Sequence, residues 1–558
     1  MANTTPTTTD VLIVGAGPAG LTLANLLAQS DVRFLLVEKN SAPSDQSRAV
    51  IVHTRTLELW DKLDLADRAI ANGVKLHGIN LLINGKRVAS FPLAANEAVP
   101  SPFPFALAYP QGKTEQLLME NLNNDAATIA WQTELISLMP NNHGARAVVR
   151  RPDGVLEEID AKYVVGADGA RSRVRQLLNV NFPGSTYAPT AFLADVALDP
   201  PPETGNLHLN LANGGFVGIL ALGEGRYRLF GALSPTYAAL FQVQDEGRNV
   251  ALADLRRWFE EYFHLSNRIT RADWTSIYRI HQRLADTFRI GSVFLVGDAA
   301  HIHSPAGGQG MNLGIGDAFN LGWKLALVLH NEAREEVLDS YDVERRPVAQ
   351  VVLKGADRAF ELEATQNPIM ELFRLYVLPR IINVVARIGA MRGAIFQLFS
   401  QTWISYRSSP VVAKTQRGQG LKGLQIGDRA PHGVFETGLN KGRSLFSLLR
   451  GPDHHVFVFE GQEAGELSTH LVDNTQALLD TYRTTIRTHV IARGNQELHA
   501  RYRVTKPSIV LVRPDGHIAY AGSAADLALL SKYLDRWYLR KSSVSMQDVR
   551  SAETVTRT

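Results

Sequence analysis

The sequence predicts an α/β protein: a doubly wound domain with an inserted antiparallel sheet, followed by a separate C-terminal module. Strand and helix signals alternate over the first 180 residues, as a parallel sheet covered by helices requires. Short alternating segments around Phe182–His281 indicate antiparallel hairpins, and the buried strand Ser292–Gly297 then returns to the first domain. Proline and glycine become frequent near Gly418–Pro431, which predicts the start of the last module.

The first βα unit carries a glycine pattern that suits a dinucleotide. A short apolar strand runs into Gly15-Ala-Gly-Pro-Ala-Gly20, which opens a helix. Gly15 allows the tight turn, Gly17 lets the backbone approach a pyrophosphate, and Gly20 permits close packing of the helix on the strand. A second strand then delivers Glu38, whose carboxylate can bond ribose hydroxyls. Together these features predict a dinucleotide-binding fingerprint, whereas a glycine-rich turn alone would be a weak signal.

Two later strand ends carry the same kind of chemistry. Asp168 and Gly169 follow an apolar strand and precede a helix that starts at Ser172. Asp298 ends another strand, and the glycine-rich loop after it opens a helix near Asn312. Because the carboxyl ends of parallel strands meet at one edge of a sheet, we expect both motifs to lie beside the first glycine loop. The helix near Asn312 would direct its positive end at a flat ring bound there.

The pattern divides the chain into three structural units and a tail. The doubly wound domain has a helical extension, and the inserted sheet also receives an earlier segment of the chain. The predicted units are residues 1–180 with 282–410, residues 181–281 with a contribution from about 75–110, residues 420–540, and the charged, disordered tail 541–558. Within the third unit, Arg513-Pro-Asp-Gly516 has the composition of a β-turn between two strands.

Composition and charge exclude several classes of protein. With 58 basic and 55 acidic side chains the net charge is +3, too small for a nucleic-acid-binding surface. The chain has no cysteine, which excludes disulfides and thiolate metal sites and fits a reducing, cytoplasmic location. No uncharged apolar run is long enough to span a membrane. The apolar segment Leu375–Phe399 is interrupted by three arginines, so we expect buried or interfacial helices there.

These motifs resemble the single-component FAD-dependent aromatic hydroxylases, the class A flavoprotein monooxygenases with the p-hydroxybenzoate hydroxylase fold. Smaller matches are Arg48, Arg55–Glu58, Tyr109–Gln111 and Tyr278–Arg283. The chain is most similar to the phenol hydroxylase branch, which ends in a thioredoxin-like domain. The resemblance covers nearly the whole chain and implies a Rossmann-type FAD-binding domain, an inserted substrate-binding sheet domain and a C-terminal thioredoxin-like domain. Without cysteine that last domain lacks Cys-x-x-Cys, so its role is expected to be structural or in assembly.

The resemblance implies an NAD(P)H-dependent aromatic-ring monooxygenase. NAD(P)H would reduce FAD, and a flavin C4a-hydroperoxide formed with O₂ would hydroxylate a phenolic or polyketide-like aromatic substrate. The protein must then exclude water and hold the target carbon close to the oxidant. The resemblance also implies a homodimer with residues 340–410 at its interface. NADPH and NADH both stay open as the reductant.

The resemblance assigns roles to particular residues. Glu38 and the first glycine loop would hold the ADP half of FAD, Asp298 the ribityl chain, and Asp168 both FAD and NAD(P)H. Tyr278 is the first candidate for contact with the substrate hydroxyl, although a half-buried sheet tyrosine fits its strand equally well. The predicted catalytic residues are Tyr278, Pro305 and His281. The predicted cofactor-binding residues are Gly15, Gly17, Pro18, Ala19, Gly20, Glu38, Lys39, Arg48, Gln111, Asp168, Gly169, Asp298, Pro305, Gly308, Gly310, Met311 and Asn312.

Several other polar residues receive a structural interpretation. His53 is a weak catalytic candidate, because most histidines of this kind are satisfied core or surface residues. His301 and His303 have no third ligand at metal-binding spacing, so no metal site is predicted. Arg345-Arg346-Pro347 is interpreted as a solvated helix end or an interdomain salt bridge, and Trp323 as packing.

Three other outcomes of the same fold stay open. A flavin reductase needs a second glycine-rich nucleotide motif and often paired cysteines, and the sequence has neither. A halogenase should carry a Trp-x-Trp-x-Ile-Pro segment, which is absent. A non-catalytic flavin-binding protein would keep the motifs without turnover. One departure concerns the substrate: the phenol hydroxylase branch carries an aspartate where Val50 aligns, so we expect an apolar pocket, and the group that deprotonates the substrate is open.

Overall fold

The computed structural model describes residues 6–43, 49–92, 100–124, 129–212, 215–233, 238–239, 250–364, 367–413, 425–462, 469–524 and 526–541. Arg48 and residues 542–558 lie outside the described residues, so what was predicted for them stays a prediction.

The described strands and helices follow the alternation expected from the sequence. The strands are β1 (Thr7–Val14), β2 (Phe34–Val37), β3 (Ile51–Val52), β4 (Val74–Leu76), β5 (Gly78–Ile83), β6 (Lys86–Pro92), β7 (Ala106–Ala108), β8 (Ile129–Ala130), β9 (Glu134–Asn141), β10 (Gly144–Arg150), β11 (Leu156–Gly166), β12 (Gly184–Asp199), β13 (Asn206–Ala212), β14 (Gly215–Gly223), β15 (Arg226–Leu233), β16 (Arg268–Leu284), β17 (Arg289–Ile290), β18 (Val293–Leu295), β19 (His301–Ile302), β20 (His454–Phe459), β21 (Ile486–Ile491), β22 (Ser508–Val512) and β23 (Ile518–Ser523). The α-helices are α1 (Pro18–Gln29), α2 (Thr54–Asp61), α3 (Ala66–Ala71), α4 (Gln111–Asn124), α5 (Arg173–Leu177), α6 (Leu252–Arg257), α7 (Gly310–Leu329), α8 (Ser340–Ala364), α9 (Pro368–Leu372), α10 (Leu378–Val385), α11 (Gly389–Ser400), α12 (Thr469–Leu479), α13 (Gln496–Tyr502) and α14 (Leu527–Trp537).

A parallel sheet lies at the centre of the first domain. Its strand order is β17-β18-β11-β1-β2-β8, and β1 runs parallel to both β11 and β2. Val11–Val14 of β1 are all buried, as expected for a strand that is covered on both faces. Helix α1 packs against α4 and α7. The structure therefore confirms a mixed α/β class with parallel and antiparallel sheets.

A second, mostly antiparallel sheet is inserted into this domain. Its order is β19-β16-β12-β15-β14-β13-β5-β6, so β5 and β6 join it from an earlier part of the chain. One face packs beneath α6 and the π-helical turn Trp258–Tyr262, around Phe192 and Trp258. Helices α8 and α10 contact the sheet from the helical extension. The sheet is thus enclosed between two sets of helices.

The helical extension is only partly buried. Helices α9 to α11 follow α8, and the π-helical turn Phe373–Val377 joins α9 to α10. Within the described part of the chain, no single helix combines the length and apolar composition that crossing a membrane needs; Phe373–Val385 and Gly389–Ser400 reach them only as a pair bent by 108°.

The C-terminal module contains a four-stranded sheet of order β21-β20-β22-β23. Strands β20 and β21 are parallel, whereas β22 runs antiparallel to both β20 and β23. The turn between β22 and β23 forms as its composition predicts, because Gly516 has φ +79° and its N–H donates to Arg513 O at 2.8 Å.

This turn is buried against the first domain, which the sequence did not show. Arg513 is 0% exposed and donates to both carboxylate oxygens of Glu344, at 2.6 and 2.9 Å. Arg345 is buried as well and donates to Asp317 at 2.6 Å, so the prediction of a solvated helix end was wrong. The interdomain salt bridge is made instead by its neighbour Glu344. Trp323 packs beside Arg513, as predicted, with the guanidinium carbon 5.0 Å from the ring centroid.

Candidate active site

Four strand ends meet at one edge of the parallel sheet. Val14 of β1 lies opposite Val37 of β2 and Gly166 of β11, and Gly166 lies opposite Leu295 of β18. The segments that leave these strands are the glycine loop Gly15–Gly20, Glu38, Asp168-Gly169 and Asp298. The structure therefore brings the three sequence motifs together at the edge where an open α/β sheet binds its ligand.

The glycine loop is tight because side chains would collide with backbone. Gly15 has φ +109°, and a Cβ on it would lie 2.4 Å from Ala167 O. A Cβ on Gly20 would lie 2.0 Å from Gly15 O, so the start of α1 sits directly on the turn. By contrast, a Cβ on Gly17 would meet nothing within 4 Å. The loop is thus packed on one side and open at Gly17, as a backbone that approaches a pyrophosphate must be.

Glu38 closes the loop from the neighbouring strand. One carboxylate oxygen accepts the Ala16 N–H at 2.9 Å and the other accepts the Asn40 N–H at 3.0 Å. Each oxygen keeps a second lone pair for a ligand hydroxyl. Lys39, which follows Glu38, is exposed.

Asp168 holds the start of α5. Its Oδ2 accepts the N–H groups of Arg173 at 2.6 Å and Val174 at 3.1 Å. Its Oδ1 is buried and has no hydrogen-bond partner among the described residues. Burial raises the pKa of Asp168, against the hydrogen bonds that lower it. An unpartnered buried acceptor beside the glycine loop is suited to a donor on a bound ligand.

Arg175 ties the second motif to the third, a role that sequence reasoning missed. Its guanidinium donates to Ala170 O at 2.8 Å and to Ala299 O at 2.9 Å. It also lies over the Phe182 ring, 3.8 Å from the centroid. These bonds join the loops that follow Asp168 and Asp298. The only sequence signal was an arginine within the short helix that follows Asp168-Gly169.

The first turn of α7 faces the same region. Asn312 is buried, and its Oδ1 accepts from the His53 N–H and the Thr56 hydroxyl, while its Nδ2 donates to Ile51 O and Gly308 O. The side chain of Asn312 is therefore fully used by the protein. Leu313 makes the first intrahelical bond, to Gln309 O, so the helix offers a ligand backbone N–H groups before that residue.

The loop before α7 is held in a glycine-specific shape. Gly307 and Gly308 have φ +75° and +62°, and they follow Pro305. The ring of His53 donates from Nε2 to Gly307 O at 3.0 Å. Burial lowers the pKa of His53 to about 4, so this histidine is neutral near pH 7. His53 therefore holds the loop rather than carrying a proton there.

The buried carboxylate of Asp317 supports the Asp298 motif from inside the domain. It accepts the Gly297 N–H at 3.1 Å, His301 Nε2 at 2.7 Å and Arg345 Nε at 2.6 Å. Burial acts to raise its pKa, but the charge of Arg345 lowers the pKa of Asp317 overall. Sequence reasoning missed Asp317, whose one signal was a polar position inside the otherwise apolar helix α7.

The two histidines of His301-Ile-His303 have separate structural partners. His301 bonds Asp317, and His303 Nδ1 donates to Ser304 O at 2.7 Å. Burial lowers the pKa of His303 to about 4. Across the described ranges, no three His, Cys, Asp or Glu side chains are grouped to hold a metal.

Tyr278 and His281 lie on β16 of the inserted sheet. Tyr278 is half-buried and packs with an apolar cluster that includes Ala191, Phe216 and Ile382. His281 Nδ1 lies 2.8 Å from the Thr186 hydroxyl, so that ring is held at the sheet edge. Because β19 runs antiparallel to β16, the chain that leaves β19 toward Pro305 travels back in the direction of Tyr278.

Val50 and Gln111 were also singled out from the sequence, and the structure shows what each of them contacts. Val50 is buried in a small apolar cluster with Leu220 and Leu222 of β14. Gln111 starts α4, accepts the Ala49 N–H at 3.3 Å and donates to Glu115 at 2.9 Å. The Gln111 side chain is therefore engaged in holding the segment that precedes β3.

Comparison with known proteins agrees with this geometry. Residues 8–356 match the FAD binding domain family, and residues 424–540 match the C-terminal domain of aromatic-ring hydroxylases. The chain is 31% identical over 532 residues to 6-methylpretetramide 4-monooxygenase of Streptomyces rimosus, covering 95% of this chain and 93% of that relative. It is 34% identical over 467 residues to pentachlorophenol 4-monooxygenase of Sphingobium chlorophenolicum, covering 81% and 80%. The solved structure of anhydrotetracycline hydroxylase OxyS of Streptomyces rimosus aligns with a TM-score of 0.74 at 27% identity, over 95% of this chain and 99% of that one.

The chain belongs to the FAD-dependent aromatic-ring hydroxylases, a family of flavoprotein monooxygenases. The residues at the sheet edge fit this cofactor. The backbone is open at Gly17, Glu38 keeps lone pairs for ribose hydroxyls, and Asp168 presents a buried acceptor without a protein partner. The family predicted from the motifs is thus confirmed.

Proposed function

We propose that the protein hydroxylates a phenolic or polyketide-like aromatic compound, with NAD(P)H and O₂ as co-substrates of the flavin. The observation that carries the proposal is the convergence of the Gly15, Asp168 and Asp298 motifs on one sheet edge. The inserted sheet is joined to this edge, because β19 follows the Asp298 motif and pairs with β16. Relatives named for 6-methylpretetramide and pentachlorophenol support the aromatic substrate class.

Each part of the edge has a different task in holding FAD. The loop at Gly15–Gly20 and the start of α1 would take the pyrophosphate, and Glu38 the adenosine ribose. Asp298 would take the ribityl chain, and Asp168 would contact FAD and the nicotinamide co-substrate. Asn312 would act through its backbone N–H, because its side chain is already saturated.

Bound FAD supplies the redox chemistry that joins nicotinamide oxidation to oxygen activation. The chain supplies electrostatics, exclusion of water and orientation. The amino end of α7 would stabilise negative charge on a ring bound next to it. Pro305 and the loop Gly307–Gly308, fixed by His53, would border both the ring and the substrate.

Tyr278 is proposed to orient the substrate through its hydroxyl group. It belongs to an apolar cluster on the inserted sheet, which would exclude water from the reacting carbon. The second apolar cluster, around Val50, contains no carboxylate at the position where the phenol hydroxylase branch carries aspartate. An electron-rich ring that is activated through a hydroxyl suits such surroundings better than a small benzoate does. His281 would act only at the edge of this pocket, beside Thr186.

Four finer assignments belong to the same proposal. The domain limits 1–180 with 282–410, 181–281 and 420–540 are supported by the sheet topology. A thioredoxin-like C-terminal domain is supported by the four-stranded sheet whose β20–β21 pair is parallel. The resemblance supports a homodimer. The absence of cysteine supports a cytoplasmic location.

The activity test is oxidation of NADPH and NADH by the FAD-loaded protein across phenols and multi-ring aromatics, with product mass and H₂O₂ recorded. We expect a substrate-stimulated rate and a product heavier by one oxygen atom. NAD(P)H consumption that yields only H₂O₂ with every compound would contradict hydroxylation, as would the absence of stimulation by any aromatic.

The Tyr278 assignment is tested by Tyr278→Phe beside the matched Tyr227→Phe. Tyr227 lies on β15 of the same sheet but in the cluster on the opposite face, where its hydroxyl donates to Pro202 O at 3.2 Å. We expect Tyr278→Phe to lower coupling of NAD(P)H oxidation to product, with more H₂O₂, and Tyr227→Phe to leave coupling unchanged. Equal coupling in all three proteins would remove Tyr278 from the site.

A further inference from the structure

One surface of the helical extension is unusually apolar. Of the nineteen large apolar side chains that are exposed in the described part of the chain, ten lie between residues 369 and 398. We call these ten the apolar face: Ile369, Met370, Leu372, Tyr376, Val377, Ile381, Val384, Ile388, Met391 and Leu398. Exposed apolar side chains that are clustered in this way call for an explanation, whereas singly scattered ones do not.

The apolar face follows a helical repeat. Val377, Ile381, Val384 and Ile388 are spaced by four, three and four residues, and each is 43–58% exposed. Within α10 this spacing places Ile381 and Val384 on one side, while Val377 lies in the π-helical turn before the helix and Ile388 after its end. The other side of α10 is also apolar but is buried, where Val385 packs with Phe91. Two apolar sides on one helix mean that packing within the chain explains only one of them.

The second arm of the apolar face is α11. Met391 and Leu398 are 43% and 55% exposed and are seven residues apart, which places them on one side of that helix. The first arm is Phe373–Val385 and the second is Gly389–Ser400, and the helix axis bends by 108° between them. A bent pair of short helices with outward apolar sides can lie in an interface plane, whereas neither arm is long enough to cross a bilayer.

The charge along the sequence around the apolar face is mostly positive, because Glu371 is the one acidic residue between positions 369 and 427. Residues 372–427 contain no aspartate or glutamate. Their basic residues are Arg374, Arg380, Arg387, Arg392, Arg407, Lys414, Arg417 and Lys422. Arg380 and Arg387, on or next to α10, are exposed. This stretch is strongly cationic in a chain whose net charge is only +3.

The neighbouring strand β6 also exposes cationic and apolar side chains. Asn383 of α10 donates to Val88 O of β6 at 3.1 Å, so β6 borders the apolar face. Lys86 and Arg87 of β6 are exposed, and Val88 is 36% exposed. Two separate elements therefore place exposed cations beside exposed apolar side chains.

We propose that the apolar face, with Lys86, Arg87, Arg380 and Arg387 around it, docks on the surface of a bilayer that contains anionic lipids. The apolar side chains would enter the boundary between headgroups and acyl chains, and the cations would contact lipid phosphates. A second copy of the chain is a poorer occupant, because a two-fold contact would bring these four cations close to their own counterparts. The homodimer expected from the resemblance would then use parts of residues 340–410 that lie outside the apolar face. This inference does not depend on the proposed hydroxylation.

The test is co-sedimentation of the full-length, FAD-loaded protein with two kinds of vesicle. One kind contains phosphatidylglycerol mixed with phosphatidylcholine, and the other contains phosphatidylcholine alone. We expect binding to the anionic vesicles, weaker binding to the neutral ones, and a loss of binding at high salt because screening shortens the reach of the cations. Absence of sedimentation with either kind of vesicle at low salt would overturn the proposal.

Two double variants separate the apolar contribution to vesicle binding from the contribution of the cations. Ile381→Asp with Val384→Asp should weaken binding to anionic vesicles by more than about tenfold, since two charges would enter the apolar boundary. Arg380→Glu with Arg387→Glu should weaken it by at least about 25-fold at low salt, at roughly fivefold for each cation removed. FAD absorbance and melting temperature, measured on every variant, report whether the fold is kept.

Matched controls carry the same changes elsewhere. Val155→Asp with Leu156→Asp replaces apolar residues that are 55% and 58% exposed in the β10–β11 hairpin, and Lys441→Glu with Arg443→Glu reverses two exposed cations of the C-terminal module. Both controls should bind vesicles as the wild type does. Equal loss in the controls would overturn the proposal. So would a dimer, seen by light scattering, that Ile381→Asp with Val384→Asp converts to monomer while vesicle binding is absent, because the face would then belong to a second copy.

Discussion

Replacing Glu58 by glutamine should destabilise the protein in a way that depends on pH. Glu58 lies on α2 and is 3% exposed. Its carboxylate accepts from Arg429 at 2.7 and 2.9 Å, from Arg55 at 3.0 Å and from Ser101 at 2.7 Å. Arg429 belongs to the C-terminal module, so this carboxylate fastens that module to the FAD-binding domain.

The expected magnitude follows from the pKa of Glu58. Burial acts to raise it, but the Arg429 and Arg55 charges and the hydrogen bonds prevail and lower the pKa from 4.5 to about 2. Because the pKa is lower in the folded state, the ionised carboxylate contributes stability above pH 4.5, and this contribution is lost as pH falls toward 2. This lowering of the pKa corresponds to a contribution of about 3 kcal/mol to the free energy of unfolding at neutral pH. Near pH 3.5 the same calculation gives a contribution of about 2 kcal/mol.

The assay is urea unfolding followed by tryptophan fluorescence, near pH 7.5 and near pH 3.5. Glu58→Gln should lose about 3 kcal/mol or more near pH 7.5, with a smaller loss near pH 3.5. Glu134→Gln is the matched control: Glu134 pairs with Arg150 at 3.3 Å with both side chains 52% exposed, so its loss should stay below about 1 kcal/mol. A loss for Glu58→Gln that is equal at both pH values, or no larger than the control's, would refute the reasoning.

Three other variants test the sheet edge that carries the Gly15, Asp168 and Asp298 motifs, and the measurement is the amount of FAD that stays bound during gel filtration. Asp298→Ala should retain less FAD, and unchanged flavin content would reject its assignment to the ribityl chain. Gly20→Ala should lose FAD because its Cβ would lie 2.0 Å from Gly15 O, while Gly355→Ala, whose Cβ would meet nothing within 4 Å, should keep FAD; equal retention would show that the glycine loop tolerates the shift. Arg175→Met should weaken FAD binding by about tenfold, because it removes bonds to Ala170 O and Ala299 O that hold two motifs in register; binding equal to wild type would mean that the loops keep their places without it.

The elements that the sequence predicted well are those whose cause is local. Gly15 and Gly20 must be glycine because of backbone atoms a few residues away or on the next strand, and the motif shows this requirement directly. The Arg513–Gly516 turn depends on its own proline and glycine, and it forms as expected. The alternation of strands and helices likewise predicted the parallel sheet and the order of motifs along its edge.

The missed features depend on partners that are distant in sequence. Arg345 pairs with Asp317, and Arg513 with Glu344, 169 residues away. In the sequence, each of these charges looks like an ordinary surface residue, because burial of a charge becomes acceptable only when its partner is buried with it. The burial of Tyr278 also depends on parts of the chain that are distant in sequence. Alternation predicts a strand, but the helices that cover each side of the inserted sheet decide which side chains are enclosed.

The C-terminal module supplies ion-pair partners to buried carboxylates of the FAD-binding domain. Glu344 on α8 meets Lys324 at 2.8 Å inside the domain, but both its oxygens also require Arg513 of the module. Its pKa is held well below the ordinary range, because the charges of Arg513 and Lys324 outweigh burial.

Without the module, two carboxylates, Glu344 and Glu58, would lose guanidinium partners that arrive from Arg513 and Arg429. Arg345, next to Glu344 in α8, holds Asp317, and Asp317 in turn holds the Gly297 N–H beneath the Asp298 motif. A module without cysteine has no thiol chemistry to perform, yet it fixes the helix that supports the flavin edge. Its place in the molecule is therefore explained by electrostatics: it supplies the positive charges that keep two buried carboxylates of the FAD-binding domain ionised.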